Sequence, residues 1–274
     1  MAIQNLPKRW STKPPVGTQI NWGHPLGNGL VSCFIFNEQA GAQCFDLATG
    51  GIAKNTIGAE PWAVKPPVGV ALDLTANLYA FAENNVGPFV FPITLVSIWM
   101  PSNMVNLPII WLHDDGSVSS GFGMITTTTQ IRFNLGGVNS YTFTNLTVAN
   151  FNTYFSAITV DKNAGTATGY HAILGSPLTV QALAIGTRSA TTPIRICFGL
   201  LQSSATGSHW AFMHLLYNRM LTPSEINQLN INPYCFLVSP SPHVRQYKQA
   251  PPAVSTLVPS IFQNPVDPLS VISV

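Results

Sequence analysis

Two neighbouring acidic residues, Asp114 and Asp115, form the only adjacent pair of carboxylates in this sequence. A Ca²⁺ site needs several oxygen ligands, and carboxylates usually supply some of them. The pair is followed by Gly116, however, and Asp-Gly after an apolar run is a common hairpin turn. We therefore predict a turn and no bound metal or other cofactor, with Asp114 and Asp115 as the candidate ligands if calcium binds.

The other titratable residues are too dispersed to indicate a catalytic centre. A retaining glycosidase needs two carboxyl groups about 5 Å apart, but the glutamates are isolated along the chain: Glu38, Glu60, Glu83 and Glu225. The six histidines show no H-x-H or H-E-x-x-H spacing, and there is no G-x-S-x-G or Walker-type motif. We predict that the chain is not an enzyme and has no catalytic residues.

Tryptophan rings offer a second kind of chemistry, because a sugar can stack on an exposed aromatic platform. Trp62 lies in a proline-flanked segment, and Trp111 lies three residues before Asp114. We name Trp62 and Trp111 as the candidate glycan-binding residues.

Strands are the elements that must position these side chains. Alternating apolar residues over 154–160 are typical of the pattern, and turn sequences such as Gly136-Gly137 separate the segments. The predicted strands are 30–36, 68–74, 93–100, 108–112, 123–127, 130–135, 140–144, 154–160, 166–174, 194–201 and 211–217. Many short strands without alternating helices predict an all-β protein built as an antiparallel sandwich or barrel.

One helix is predicted after the last of these strands. Thr222 has the features of an N-cap, Pro223 occupies the first helical position, and Glu225 completes a capping box. Ile226 and Leu229 form the apolar face, and Pro233 ends the helix. Glu225 is thereby interpreted as a helix cap.

Composition separates a globular body from two arms. Only 8% of the residues are charged, against about 25% in ordinary soluble domains, which is typical of a subunit packed against other subunits. Prolines interrupt any regular secondary structure in residues 1–28, and residues 239–274 contain seven prolines and no glycine. We predict an N-terminal arm (1–28), a body (29–238) and a C-terminal arm (239–274) that docks on neighbouring subunits rather than staying disordered. The predicted partner-binding residues are Lys8, Arg9, Trp10, Trp22, Arg245, Tyr247, Lys248 and Phe262.

Several classes of protein are not supported by the sequence. A net charge of +2 is too small to indicate nucleic-acid binding, and no apolar run is long enough for a membrane span. The N-terminus lacks the apolar region of a signal peptide. Four widely spaced cysteines predict buried free thiols, with a Cys33–Cys44 bridge as the alternative.

The order of short motifs resembles laminin-G-like, concanavalin-A-type jelly-roll domains over residues 29–236. Gly29-Leu30-Val31 with Phe36-Asn37-Glu38 is similar to the opening of such domains, and the stretch from Tyr217 to Pro233 is similar to their closing signature. Intermediate matches are Asp46-Leu47, Val70–Leu74, Phe91–Thr94 with Trp99, and Phe151–Tyr154 with Asp161. The resemblance implies a two-sheet jelly-roll sandwich with one short C-terminal helix, in which Trp99 and Trp210 are buried.

The resemblance also bears on function. Glycosidases of this fold carry an E-x-D-x-x-E strand motif, which is absent here, and many relatives bind Ca²⁺ at a rim of the sandwich. The lead-in from Lys8 to Leu30 resembles that of such domains in tailed-phage structural proteins.

We therefore predict a non-enzymatic virion structural protein, a capsid decoration protein attached through its arms. Its expected partners are the major capsid protein or neighbouring copies in a homo-oligomer or array. It would be made in the host cytoplasm and carried in the virion. The alternative is a lectin-like adhesin of a virion tail or cell surface that binds host glycans, with Ca²⁺ as its candidate cofactor.

Overall fold

Strands make up most of the regular structure in the computed structural model, which describes residues 13–38, 43–55, 62–66, 68–74, 79–82, 90–103, 108–113, 122–127, 129–135, 139–185, 195–199 and 208–239. The strands are, in chain order, β1 (Gln19–Ile20), β2 (Leu30–Phe34), β3 (Gln43–Phe45), β4 (Ile52–Asn55), β5 (Trp62–Lys65), β6 (Gly69–Asp73), β7 (Tyr79–Ala82), β8 (Ile93–Asn103), β9 (Pro108–His113), β10 (Phe122–Thr126), β11 (Gln130–Leu135), β12 (Asn139–Thr147), β13 (Tyr154–Asp161), β14 (Thr166–Ile173), β15 (Thr179–Ala184), β16 (Arg195–Gly199), β17 (Ser208–Tyr217) and β18 (Leu237–Val238). A 3₁₀ turn spans Pro25–Gly27, and the helix α1 spans Pro223–Ile231.

Two antiparallel sheets contain most of these strands. Sheet 1 has the order β15-β14-β13-β8-β17-β6-β5, and β2 also pairs with β17. Sheet 2 has the order β12-β11-β10-β9-β16-β7-β4-β3. A separate ribbon joins β1 to β18, with Gln19 opposite Val238 and Ile20 opposite Leu237. The predicted all-β, antiparallel two-sheet sandwich with one helix is confirmed.

The central strand β8 of sheet 1 is buried on both faces. Leu95 and Trp99 belong to the core cluster between the sheets, whereas Val96 and Ile98 belong to a second cluster on the opposite face. We call these the inner and outer faces of sheet 1. The outer cluster also contains Leu26 of the 3₁₀ turn, together with Ile226 and Leu229 of α1, so the N-terminal segment and the helix cover part of the outer face.

The helix begins as its sequence predicts. Thr222 accepts a hydrogen bond from the Glu225 amide, and the Glu225 side chain accepts one from the Thr222 amide. Ile226 and Leu229 are fully buried. Along the chain that the structure describes, no helix is both long and apolar enough to cross a membrane.

Several strands were not predicted. They are β1, β3, β4, β5, β7, β15 and β18, all of six residues or fewer, and most of them lie at or near a sheet edge, where alternation of apolar residues is weak. Cys33 and Cys44 are buried free thiols as predicted, whereas Cys235 is a free thiol that is only half-buried.

Candidate functional site

Trp210 lies at one end of the outer face of sheet 1. Its strand, β17, places it opposite Met100 of β8 and Asp73 of β6. The next residue, Ala211, packs between the sheets, so the alternation of the strand turns the Trp210 ring outward. Trp210 is 8% exposed, and its burial agrees with the sequence prediction.

Lys65 covers one side of this ring. Its strand, β5, is separated from β17 by β6 alone, and its ammonium nitrogen lies 4.0 Å from the centroid of the Trp210 ring. A cation at this distance is attracted by the negative face of the indole. The contact holds the positive charge of Lys65 beside the Trp210 ring.

Phe151 supplies a second aromatic ring. It lies in the turn before β13, with its centroid 6.4 Å from that of Trp210 and an interplanar angle of 35°. Its side chain is 65% exposed, which is unusual for phenylalanine. We call Lys65, Phe151 and Trp210 together the aromatic platform.

The backbone of Phe151 is strained. Its φ is +62°, a left-handed conformation that is costly for a bulky side chain. The Phe151 amide donates to the Pro101 carbonyl at 2.8 Å, which holds the residue in this conformation. The strained backbone and the exposed ring make Phe151 a candidate binding residue.

Ser156 and His171 form a hydrogen-bonded pair on neighbouring strands. The Ser156 Oγ lies 2.9 Å from the His171 Nδ1, and the His171 Nε2 lies 3.0 Å from the Thr147 carbonyl. Because a carbonyl only accepts, Nε2 carries the proton and the Ser156 hydroxyl donates to Nδ1. Burial lowers the pKa of His171 to about 4. Both side chains are buried, so this pair belongs to the core.

The described structure contains only some of the sequence-predicted site residues. Trp62 lies in β5, half-buried against the core between the sheets. Trp111 lies in β9 opposite Gly123, and its side chain is outside the described part of the structure, as are Asp114 and Asp115. Trp22 is 58% exposed. Their proposed roles stay predictions.

The remaining predicted arm residues lie outside the described residues: Lys8, Arg9, Trp10, Arg245, Tyr247, Lys248 and Phe262. Over the described ranges there is no cluster of three or more His, Cys, Asp or Glu side chains.

Sequence reasoning missed Phe151 and Lys65. Lys65 is one of several lysines and meets Trp210 only through the pairing of β5 with β6. Phe151 carries no local signal, because its left-handed backbone follows from the hydrogen bond to Pro101, about fifty positions away in the chain.

Sialidases and neurotoxin receptor-binding domains share this fold. A mutant of Trypanosoma rangeli sialidase with trans-sialidase activity is 17% identical, with a TM-score of 0.53 over 76% of this chain and 33% of that one. Trypanosoma rangeli sialidase in complex with 2,3-difluorosialic acid is 19% identical, with a TM-score of 0.54 over 74% of this chain and 33% of that one.

The binding domain of botulinum neurotoxin DC in complex with SialylT is 14% identical, with a TM-score of 0.53 over 75% of this chain and 52% of that one. This chain therefore spans about a third to a half of these structures. No protein-family profile and no curated protein matches the sequence. At these identities the comparison shows a shared β-sandwich fold.

The prediction that the chain is not an enzyme is contradicted by this comparison. The matched structures include sialidases, although the botulinum domains are binding domains. The prediction rested on the absence of a sequence motif, and a β-sandwich of this type also occurs within enzymes. The chain is therefore no longer placed among non-enzymatic proteins.

Proposed function

We propose that this chain is a lectin-like carbohydrate-binding module and that glycans bind on the aromatic platform. The observation that carries the proposal is the exposed Phe151 ring, which is held in a left-handed backbone against Trp210. Flat apolar rings at a surface suit the apolar faces of sugar rings. A strained, exposed aromatic residue has no comparable benefit for folding.

The preferred ligands are acidic glycans. Lys65 places its ammonium over Trp210, beside the surface on which a sugar would stack, and it can pair with a sugar carboxylate. A sialidase with 2,3-difluorosialic acid and a neurotoxin domain with SialylT share the fold. These complexes support the choice of sialylated glycans as the first ligands to test.

Titration calorimetry with sialyllactose and lactose tests the proposal. Phe151→Ala should weaken sialyllactose binding at least about tenfold, which corresponds to roughly 1.4 kcal/mol. Lys65→Gln should reduce the preference for sialyllactose over lactose. Val90 is an exposed apolar residue just before β8. Val90→Ala therefore serves as the control and should bind as wild type. Binding that is unchanged in Phe151→Ala would contradict the proposed site.

No bound metal is predicted for this module, and Asp114 and Asp115 are the candidate ligands if calcium binds. The same titrations are repeated in excess EDTA and in excess Ca²⁺, which shows whether glycan binding depends on calcium. Loss of binding in EDTA that is restored by Ca²⁺ supports the site, and Asp114→Asn should then abolish the calcium effect.

We propose as the second candidate a virion protein that attaches to the capsid or to copies of itself. Low charge supports it, as does the exposed, apolar Trp22 beside the ribbon of β1 and β18. Deletion of residues 240–274 should then abolish co-sedimentation with virions, whereas Phe151→Ala should not. Retained co-sedimentation after deletion, or none with the full chain, would count against it.

A further inference from the structure

Strand β15 is an open edge of sheet 1. Six consecutive residues pair with β14 without a register shift, from Thr166 opposite Ala184 to His171 opposite Thr179. Within the described ranges no strand pairs with the other side of β15. A regular edge of this length presents a row of backbone donors and acceptors to another strand.

The usual protections of an edge strand are missing from β15. Its sequence is Thr-Val-Gln-Ala-Leu-Ala, and residues 163–187 contain no Asp, Glu, Lys or Arg. Val180 is 52% exposed, and Ala182 and Ala184 are also exposed. Soluble proteins normally place charges, proline or a bulge at such an edge to prevent pairing.

The other described edges carry such features. At the far side of sheet 1, β5 ends on Lys65 and is followed by Pro66. In sheet 2, β3 has three residues. The β12 edge has a register shift in its pairing with β11. This difference sets β15 apart from the other edges.

We propose that β15 pairs antiparallel with β15 of a second copy of this chain, so that two copies of sheet 1 become continuous. A second copy fits this edge because a two-fold axis brings the same uncharged strand to it, without repulsion between like charges. An axis at Ala182 keeps the outer faces of both copies on the same side. It places Val180 opposite Ala184, so that a larger side chain meets a small one.

Sedimentation equilibrium of the full chain tests this pairing. Wild type should be dimeric at tens of micromolar, an order-of-magnitude range for a modest interface. Val180→Lys and Ala182→Lys should each be monomeric, because lysines at an edge repel across the axis. Val64→Lys in β5, also at an exposed edge position, should remain dimeric. A cooperative thermal unfolding transition in the monomeric variants shows that they are folded.

A cross-link locates the axis. Opposed residues in antiparallel strands have Cα atoms about 4.5–5.5 Å apart, within reach of a disulfide. Oxidised Ala182→Cys should therefore form a covalent dimer, and Val64→Cys and wild type should not. A monomeric wild type overturns the proposal. If the β15 amides of that monomer resist hydrogen exchange, another segment of the chain covers the strand, and the proposal is overturned in this case too. A dimer that persists in both lysine variants overturns it as well.

Discussion

Lys13 connects two strands, β6 and β2, that pair with different parts of the same side of β17. On one side of β17, Trp210 and Ala211 pair with β6, whereas His214 to Tyr217 pair with β2. The Lys13 ammonium donates to the Val70 carbonyl of β6 and, at 2.8 Å, to the Phe36 carbonyl just beyond β2. Burial lowers the pKa of Lys13 well below its usual value, and the nearby Glu38 acts in the opposite direction.

Lys13→Met should lower the free energy of unfolding by about 2–4 kcal/mol, since two buried carbonyls lose their donor. Urea denaturation at pH 7 measures the loss. Asn227→Met, an exposed change in α1, is the control and should change stability by less than about 0.5 kcal/mol. Equal stability of Lys13→Met and wild type would mean that the cost of burying the charge offsets both hydrogen bonds.

Helix α1 is tied to the rest of the molecule by an arginine and glutamate pair at its start. The Arg219 Nη2 lies 2.7 Å from the Glu225 Oε1, and its Nε donates to the Asn28 carbonyl at 2.8 Å. Glu225 also accepts from the Thr222 amide and hydroxyl. Hydrogen bonds from Arg219 and Thr222 lower the pKa of Glu225 to about 2. The end of β17, the helix and the N-terminal segment therefore share one polar contact.

Glu225→Gln should cost about 1 kcal/mol at pH 7, a value reduced for the partial exposure of the pair. Because the folded pKa is lowered, the wild-type advantage is present above about pH 4.5 and disappears as pH falls towards 2. Urea denaturation across this pH range follows the difference. Ser224→Ala, an exposed change in the same turn, should keep a constant difference from wild type, and a Glu225→Gln difference that persists at pH 2 would contradict the assignment.

A row of buried polar side chains crosses four adjacent strands of sheet 1, β17, β8, β13 and β14, on its inner face. The pairing register places His214 opposite Ser97, Ser97 opposite Ser156 and Ser156 opposite His171. The ring nitrogens of His209 and His214 have no hydrogen-bond partner within the described structure. Burial lowers the pKa of His209 to about 4 and that of His214 well below its usual value. The core is therefore built around neutral imidazoles.

The whole protein should lose stability on acidification. Unfolded histidines take up a proton near pH 6.5, whereas folded His171 and His209 do so only near pH 4, so stability falls as pH decreases through this window. At pH 4.5 the loss should be roughly 2–3 kcal/mol for each of His171 and His209. Urea denaturation from pH 7 to 4.5 tests this. The double variant His209→Leu, His214→Phe should lose less, and a wild type with constant stability would contradict the prediction.

The sequence by itself determined the features whose causes are local. The capping box from Thr222 to Glu225 predicts the helix, and alternating residues in β13 predict a strand, because both signals act within a few residues of each other. The antiparallel sandwich follows from the number and spacing of such strands. The same local patterns could not predict β5 or β15, whose residues are too few and too mixed to show a period.

Only the tertiary structure decided which side chains meet. Trp210, Lys65 and Phe151 come from three distant segments, and their contact depends on the order of β5, β6, β17, β8 and β13 in sheet 1. Trp62 turned towards the core, although its sequence surroundings resemble a loop. Strand order is set by burial and pairing between residues far apart in the chain, which no short stretch of sequence records. The candidate binding surface is therefore a product of that order.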